Sequence, residues 1–338
     1  MDGPEAEFVA RICQLFHLGD PQKAVMAAVS GSANRLWRLD TDQGAFVVKE
    51  FRYTTDDKRW LTAVRRAAEF EFEVWETRRI PMAQPIRGQD GAIVYVIIGS
   101  RGGPAAVRLH RWLDGTPVPR LVAIPTAAAA GSLLSDIHSL GSGFANSDRG
   151  TLRWWRWDPE GILFQLQQYG LLAARTAKVG RAALSDADRL IAVGEVTPGR
   201  WIFSHYDHKP QNALSIGEAL AVLDWDESAL CHPRLEAVES ALRWAGGAEG
   251  KVQADAFVAF VDSYRDRGGQ LLGDLSPSDF AKWVASIVGW FEYLGRRALR
   301  EFDDNEAEAA AAAEGAAAVI ASLGSTLTEV HTWSTWRL

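Results

Sequence analysis

A chain of 338 residues, 47% hydrophobic and 23% charged, has ordinary globular composition and enough length for two lobes with a sizeable core. Its net charge of -7, from 36 basic against 43 acidic residues, argues against nucleic acid as a partner and suits a cationic substrate as well as a neutral one. Only Cys13 and Cys231 are present, so no disulfide framework is implied and the chain reads as intracellular, in the cytoplasm. The segment Met1-Asp2-Gly3-Pro4-Glu5 has no basic region leading into an apolar run, and no apolar stretch reads as long enough to span a membrane. Neither a secretion signal nor a membrane partner is therefore expected.

In chain order, residues 5–18 carry helical periodicity, with Phe8, Val9, Ile12, Leu15 and Phe16 able to share one face. Val25 to Val29 reads as a strand, Ser30-Gly31-Ser32-Ala33-Asn34 as a turn, and Leu36 to Leu39 and Ala45 to Phe51 as two further strands joined by a polar loop. A helix follows from about Lys58 to Arg79, ended by Pro81. Ala92 to Ile98 and Ala106 to Leu113 are β-rich runs separated by Gly102-Gly103-Pro104. After Pro119 the pattern turns helical: 121–140, 159–176, 184–196, 234–246, 252–267, 277–301 and 305–323. Trp201 to His205 and Ala219 to Asp224 are strand-like interruptions. The fold class expected is α+β, with a small antiparallel-sheet lobe carrying one long helix (1–114) and a larger, mainly helical lobe (115–338). There is no internal repeat, and the 14 Trp read chiefly as core.

The run His205-Tyr206-Asp207-His208-Lys209-Pro210-Gln211-Asn212, followed by Asp224, carries the chemistry. An Asp, an Asn five residues on, and a second Asp after an apolar segment match the spacing of a kinase catalytic loop. Asp207 can accept a hydroxyl proton, while Asn212 and Asp224 can hold Mg²⁺ against ATP phosphates. A lone Asp in such a loop would be an ordinary Asx-turn; three spaced elements together favour catalysis. His205 reads as structural, and His208 and His232 as loop residues.

Lys49 lies in the apolar strand Phe46-Val47-Val48-Lys49, after a Gly-containing turn. Burying it requires a partner, and the position suits a grip on the α/β-phosphates. Glu69, Glu71, Glu73 and Glu76 on the next helix are the acidic candidates, and periodicity does not choose among them. The turn containing Ser30, Gly31, Ser32 and Asn34 can cradle phosphates through backbone N–H groups, although it lacks a full G-x-G-x-x-G.

Along nearly its whole length the chain resembles the aminoglycoside phosphotransferase/choline kinase-like superfamily. Val29 to Leu39 looks like the nucleotide loop and second strand, Val47-Val48-Lys49 like the lysine strand, and Gly131-Ser132-Leu133-Leu134-Ser135-Asp136-Ile137-His138 like the G-x-x-L-x-x-I/L-H helix. Phe203 to Asn212 looks like the catalytic loop and Leu223-Asp224-Trp225-Asp226 like the metal strand; these two are the specific motifs. The resemblance implies a bilobal protein-kinase-like fold, ATP held between the lobes against His110-Arg111-Trp112, and Glu71 as the partner of Lys49.

Lys209 departs from the small-molecule kinase pattern and matches the lysine that Ser/Thr protein kinases use to neutralise the transferring phosphate; a solvated loop lysine is the other reading. On the acceptor side, Asp226, Glu227, Glu236, Glu239 and the run Glu301, Asp303, Asp304, Glu306, Glu308 offer charge for a polycationic substrate, or merely a solvated helix face. The chain thus reads as an ATP- and Mg²⁺-dependent kinase of a hydroxyl group on a small molecule. A Ser/Thr side chain in a peptide is the alternative acceptor, and a non-catalytic nucleotide-binding scaffold the third reading.

Overall fold

A computed structural model of the chain describes residues 4–26, 34–51, 58–144, 150–153, 157–271, 273–302 and 304–336. In chain order these form α1 (Pro4–Phe16), β1 (Pro21–Met26), β2 (Asn34–Thr41), β3 (Gly44–Phe51), α2 (Lys58–Thr77), β4 (Pro85–Ile86), β5 (Tyr95–Ile98), β6 (Pro104–Arg111) and β7 (Thr116–Pro117). There follow α3 (Ile124–Phe144), α4 (Pro159–Gln168), α5 (Ala174–Glu195), β8 (Ile202–Ser204), β9 (Ala213–Ile216), β10 (Ala219–Val222) and β11 (Ala229–Cys231). The chain closes with α6 (Pro233–Trp244), α7 (Ala254–Asp266), α8 (Ala281–Ala298) and α9 (Glu306–Trp333). The fold is mixed α+β, with an antiparallel-sheet N-terminal region and a helical C-terminal region.

The structure divides into two compact units. Unit 1 comprises Met1–Val118 with Gln211–Ala229, and unit 2 comprises Pro119–Pro210 with Leu230–Leu338. The sequence reading divided the chain at 114/115 and left 211–229 with the helical lobe. The structure places that segment in unit 1 because β9 pairs with β7 and the Val222 N–H donates to the Pro81 carbonyl at 2.8 Å.

In unit 1 the strands run β1-β2-β3-β6-β4, with β5 also on β6, and the pairings are antiparallel. Period-two alternation sends Trp37, Leu39, Phe46, Val48, Val107 and Leu109 to the face covered by Phe8, Val9, Ile12 and Phe16 of α1. The opposite face packs Phe51 and Ala106 on Trp60, Val64, Ala68 and Phe72 of α2. Lys49 and Arg108 are register partners across β3 and β6 and share the parity of Phe51 and Ala106, so both stand on the α2 face.

In unit 2, α3 packs on α6, α7 and β8. A Cβ at Gly131 would collide with the Phe260 carbonyl of α7, and one at Gly141 with the Phe203 carbonyl of β8. The two glycines let α7 and β8 approach the α3 backbone. Where the sequence reading put a break near 177–183, the break falls earlier, at Gly170 (φ 70°), and α5 runs unbroken from 174 to 195. Among the described residues, α9 is long and apolar enough by length and composition to cross a membrane, which corrects the reading that no stretch is. Much of that apolarity comes from alanine, and Ala309, Ala312, Ala316, Ile320, Leu323 and Val330 form a buried face toward α5 and α8.

Candidate active site

Lys49 is 7% exposed and its Nζ lies 2.5 Å from Asp224 Oδ1, with Asp226 as a second ion-pair partner. Burial alone would lower its pKa, but the two carboxylates outweigh that and hold it above the ordinary lysine value. The expected Lys49–Glu71 pair is not what forms. Glu71 is ion-paired with Arg108, and its Oε1 lies 2.9 Å from His110 Nε2. The reason is register. Lys49 and Arg108 stand side by side on one face, where two like charges directly opposite are destabilising unless carboxylates intervene. Asp226 serves both cations, reaching Arg108 Nη1 at 2.5 Å, while Glu71 completes Arg108 and Asp224 completes Lys49.

This charge frame shifts its members. Asp226 is held well below the usual carboxylate range, because Lys49 and Arg108 overcome the opposing effect of burial. His110 is pushed down to about 3, first by burial and then by the Arg108 charge, so its ring is neutral. Sequence reasoning missed Arg108 and the role of Asp226. The signal for Glu71 was present, however: Trp60, Val64, Ala67, Ala68 and Glu71 form one helical stripe, and all are buried. Glu71 is the acid among the four candidates that falls on the core face.

Asp224 follows β10 in a left-handed backbone conformation (φ 62°), and its side chain is 44% exposed. The next residue, Trp225, is buried against Phe70 of α2 with ring centroids 6.0 Å apart, which pins the turn. Asn212 precedes β9, and its carbonyl accepts from the Leu223 N–H at 2.8 Å. The β9–β10 hairpin thus brings two residues twelve positions apart in sequence to its open end. An amide oxygen and a carboxylate there are hard donors that suit Mg²⁺.

Of the other expected nucleotide residues, Ser30, Gly31 and Ser32 lie outside the described residues. Asn34 opens β2, opposite Phe51. Arg111 ends β6 opposite Phe46, with its guanidinium 5.1 Å from that ring centroid, and Trp112 N–H donates to the Ala45 carbonyl at 2.9 Å. Both are tied to β3 near its start, three and four positions respectively from the Lys49–Arg108 pair.

In unit 2, Asp207 Oδ2 lies 2.6 Å from Lys209 Nζ, and both side chains are partly exposed. The Asp207 N–H donates to His205 Nδ1 at 3.3 Å. His208 is no surface loop residue. It is 2% exposed, packs on Trp244 and Phe260, and its Nε2 meets the Ala130 carbonyl of α3 at 3.1 Å. Burial, then the neighbouring His205, pushes its pKa down to about 3.

Six of the acids that suggested a polycationic acceptor, Asp226, Glu236, Glu239, Glu301, Asp304 and Glu308, have internal partners, while Glu306 is exposed on the first turn of α9. Glu236 Oε1 accepts from the Tyr206 N–H at 2.7 Å, and its Oε2 meets His138 Nε2 at 3.1 Å and Cys231 Sγ at 2.7 Å. Glu239 holds Lys282, Arg243 and Ser286. Glu301 pairs with Arg296, Asp304 with Arg297, and Glu308 closes the Asn305 capping box of α9. Asp226 belongs to the Lys49 frame, and Asp303 lies outside the described residues. Trp244, Trp283, Phe291 and Tyr293 are core, whereas Trp290 is 42% exposed.

Residues 25–271 match the model of the phosphotransferase enzyme family. The chain belongs to that family and is a phosphotransferase. Solved structures sharing its protein-kinase-like fold include a spectinomycin phosphotransferase in complex with ADP and spectinomycin (12% identity, TM-score 0.62, covering 94% of this chain and 98% of that one). A microcompartment-associated aminopropanol kinase aligns at 14% identity and TM-score 0.63, over 95% and 98% of the two chains. A choline kinase from Cryptosporidium parvum Iowa II aligns at 12% and 0.60, over 98% and 99%. No match to a curated protein was found.

Proposed function

We propose that the chain is an ATP- and Mg²⁺-dependent kinase that transfers the γ-phosphate to a hydroxyl group of a small molecule. The observation that carries this reading is the hairpin end at which Asn212 and Asp224 stand together, with Lys49 paired to Asp224. Lys49 exchanges its carboxylate partners for the α/β-phosphates. Asn212 and Asp224 hold the metal, which neutralises charge on the phosphates when bound. Asp207 orients the acceptor hydroxyl and takes its proton, and Lys209 beside it carries positive charge toward the transferring group. Because phosphoryl transfer passes through a loose transition state, positioning and charge neutralisation supply most of the rate.

The acceptor need not be polycationic, since Glu239, Glu301 and Asp304, three of the carboxylates that would select such a substrate, are held in internal ion pairs. The test is an ATP-consumption screen against hydroxylated small molecules, both neutral and aminated, with Ser/Thr-rich peptides in parallel and Asp207→Asn as control. Mg²⁺-dependent phosphorylation of a small molecule, lost in the control, is the expected result. Turnover confined to the peptides would replace the acceptor class, and turnover undiminished in Asp207→Asn would overturn the reading.

A further inference from the structure

The backbone immediately ahead of Asp207 is strained and clamped. Tyr206 has φ 68°, in the left-handed region that a bulky L-residue occupies only when its surroundings impose it. Both polar groups of its main chain are taken by buried side chains from two different helices. The N–H donates to Glu236 Oε1 of α6 at 2.7 Å, and the carbonyl accepts from Lys282 Nζ of α8 at 2.7 Å. The same ammonium lies 3.8 Å from the centroid of the Tyr206 ring, so the residue is held by main chain and side chain together.

The clamp is itself anchored. Lys282 is 1% exposed and ion-paired with Glu239, which Arg243 holds through Nε at 2.9 Å and Nη2 at 2.8 Å. Glu236 is fully buried and fixed by His138 and Cys231, while His138 Nδ1 meets the Tyr264 hydroxyl at 2.8 Å. Charges buried this deeply add little net stability compared with apolar side chains of the same volume, so a core of this kind points to a demand for geometry.

We propose that Glu236 and Lys282 are positioning residues that set the direction in which Asp207 presents its carboxylate. The inference rests on the reading of Asp207 as the group that takes the acceptor proton. The peptide joining Tyr206 to Asp207 is planar, so fixing its carbonyl on Lys282 also fixes its N–H, which points at His205 Nδ1. With the preceding peptide held on Glu236, the backbone entering Asp207 keeps one orientation. Releasing either contact lets Tyr206 relax toward negative φ and swings the carboxylate away, and a displacement of about 1 Å at a reacting group costs on the order of 100-fold in rate.

Hydrolysis of MgATP, with water as the acceptor, tests this without knowledge of the natural substrate. Lys282→Met and Glu236→Gln are compared with wild type and with Asp207→Asn, and amide hydrogen exchange is followed in each. The expected result is a fall in kcat of about 10- to 100-fold in both clamp variants, with KM for ATP within about twofold of wild type. Exchange should quicken at 204–209 while the strands of unit 1 keep their protection. Glu236→Gln preserves shape, so it answers the question if Lys282→Met does not fold. Wild-type kcat and unchanged exchange at 204–209 in a folded clamp variant, with Asp207→Asn inactive, would overturn the positioning role. Loss of ATP affinity in step with kcat, or faster exchange throughout the chain, would overturn it as well, by showing a purely structural role. Undiminished hydrolysis in Asp207→Asn would instead sink the catalytic reading beneath it. If wild type hydrolyses no ATP, the exchange data still decide whether the clamp holds the loop.

Discussion

In the sheet unit, Lys49 and Arg108 stand opposite each other on β3 and β6, and Glu71, Asp224 and Asp226 gather around them. In the helical unit, the residues leading into Asp207 are held by their backbone, on Glu236 and Lys282. The first arrangement balances charge with charge, and it leaves one carboxylate, Asp224, half in solvent. The second uses charged side chains as rigid struts for a peptide group. On the proposed function the difference has a reason: a site for metal and phosphate needs exchangeable ion pairs, because the ligand must displace some of them, whereas a proton acceptor needs a fixed direction, because proton transfer depends on short-range geometry.

The largest effect expected of a single change is on turnover. Asp207→Asn should lower kcat by about 10²–10⁴-fold with the melting temperature little changed, and Asp224→Asn should act comparably by removing one charged metal ligand. Turnover and melting are measured together. Near-normal turnover in either variant would remove that residue from its assigned role.

Next is stability in the sheet unit. Arg108→Met leaves Glu71 and Asp226 with fewer partners in a buried setting and should cost about 3–5 kcal/mol, read from urea unfolding. A loss under about 1 kcal/mol would show that the carboxylates relax to other partners and that charge balance does not hold this face together.

Acid sensitivity should be present in both units. His110 and His208 stay neutral in the folded protein down to about pH 3. In the unfolded chain such rings take up a proton near pH 6.5, at about their reference value. Over that interval the unfolded state binds more protons, so their contribution is intact above about pH 6.5 and is lost progressively as pH falls toward 3. Asp226 and Glu236, whose pKa values are depressed by Lys49 and by His138 respectively against the opposing effect of burial, add a further loss below about pH 4. The urea midpoint should therefore fall on acidification, and His110→Gln or His208→Gln should flatten the slope between pH 6.5 and 4. An unchanged slope in a folded variant would mean that the ring already titrates in the native state.

The smallest effect should come from Lys209→Ala. Its pair with Asp207 is partly exposed, so stability should change by less than about 1 kcal/mol. If Lys209 reaches the transferring phosphate, kcat should fall by roughly tenfold with acceptor KM unchanged. A kcat equal to wild type would make it a solvated loop residue, and Asp207 would then work without a neighbouring cation.

The sequence made the sheet legible because short β-rich runs separated by turn residues mark β2, β3 and β6, with period-two alternation clearest along β2, and it made Asp207, Asn212 and Asp224 legible because their spacing is tied to one loop and one hairpin. Contacts that join distant elements were not legible. No local pattern says that Lys49 will sit beside Arg108, and that register decides which carboxylate each takes. The acidic residues on α6 looked like substrate ligands because charge in a helix reads as solvent-facing, yet Glu236 and Glu239 are at most 2% exposed and serve the core.

By itself, then, the sequence determined the fold class, the order of sheet and helices, and the spacing of Asp207, Asn212 and Asp224, since these follow from periodicity and short-range pattern. Only the tertiary structure decided that Glu71 answers Arg108 and His110 instead of Lys49, that 211–229 joins the sheet unit, and that two helices clamp Tyr206. Each of those outcomes depends on which buried charges meet across strands or helices far apart in the chain, and a buried charge settles on whichever partner the packing brings within reach.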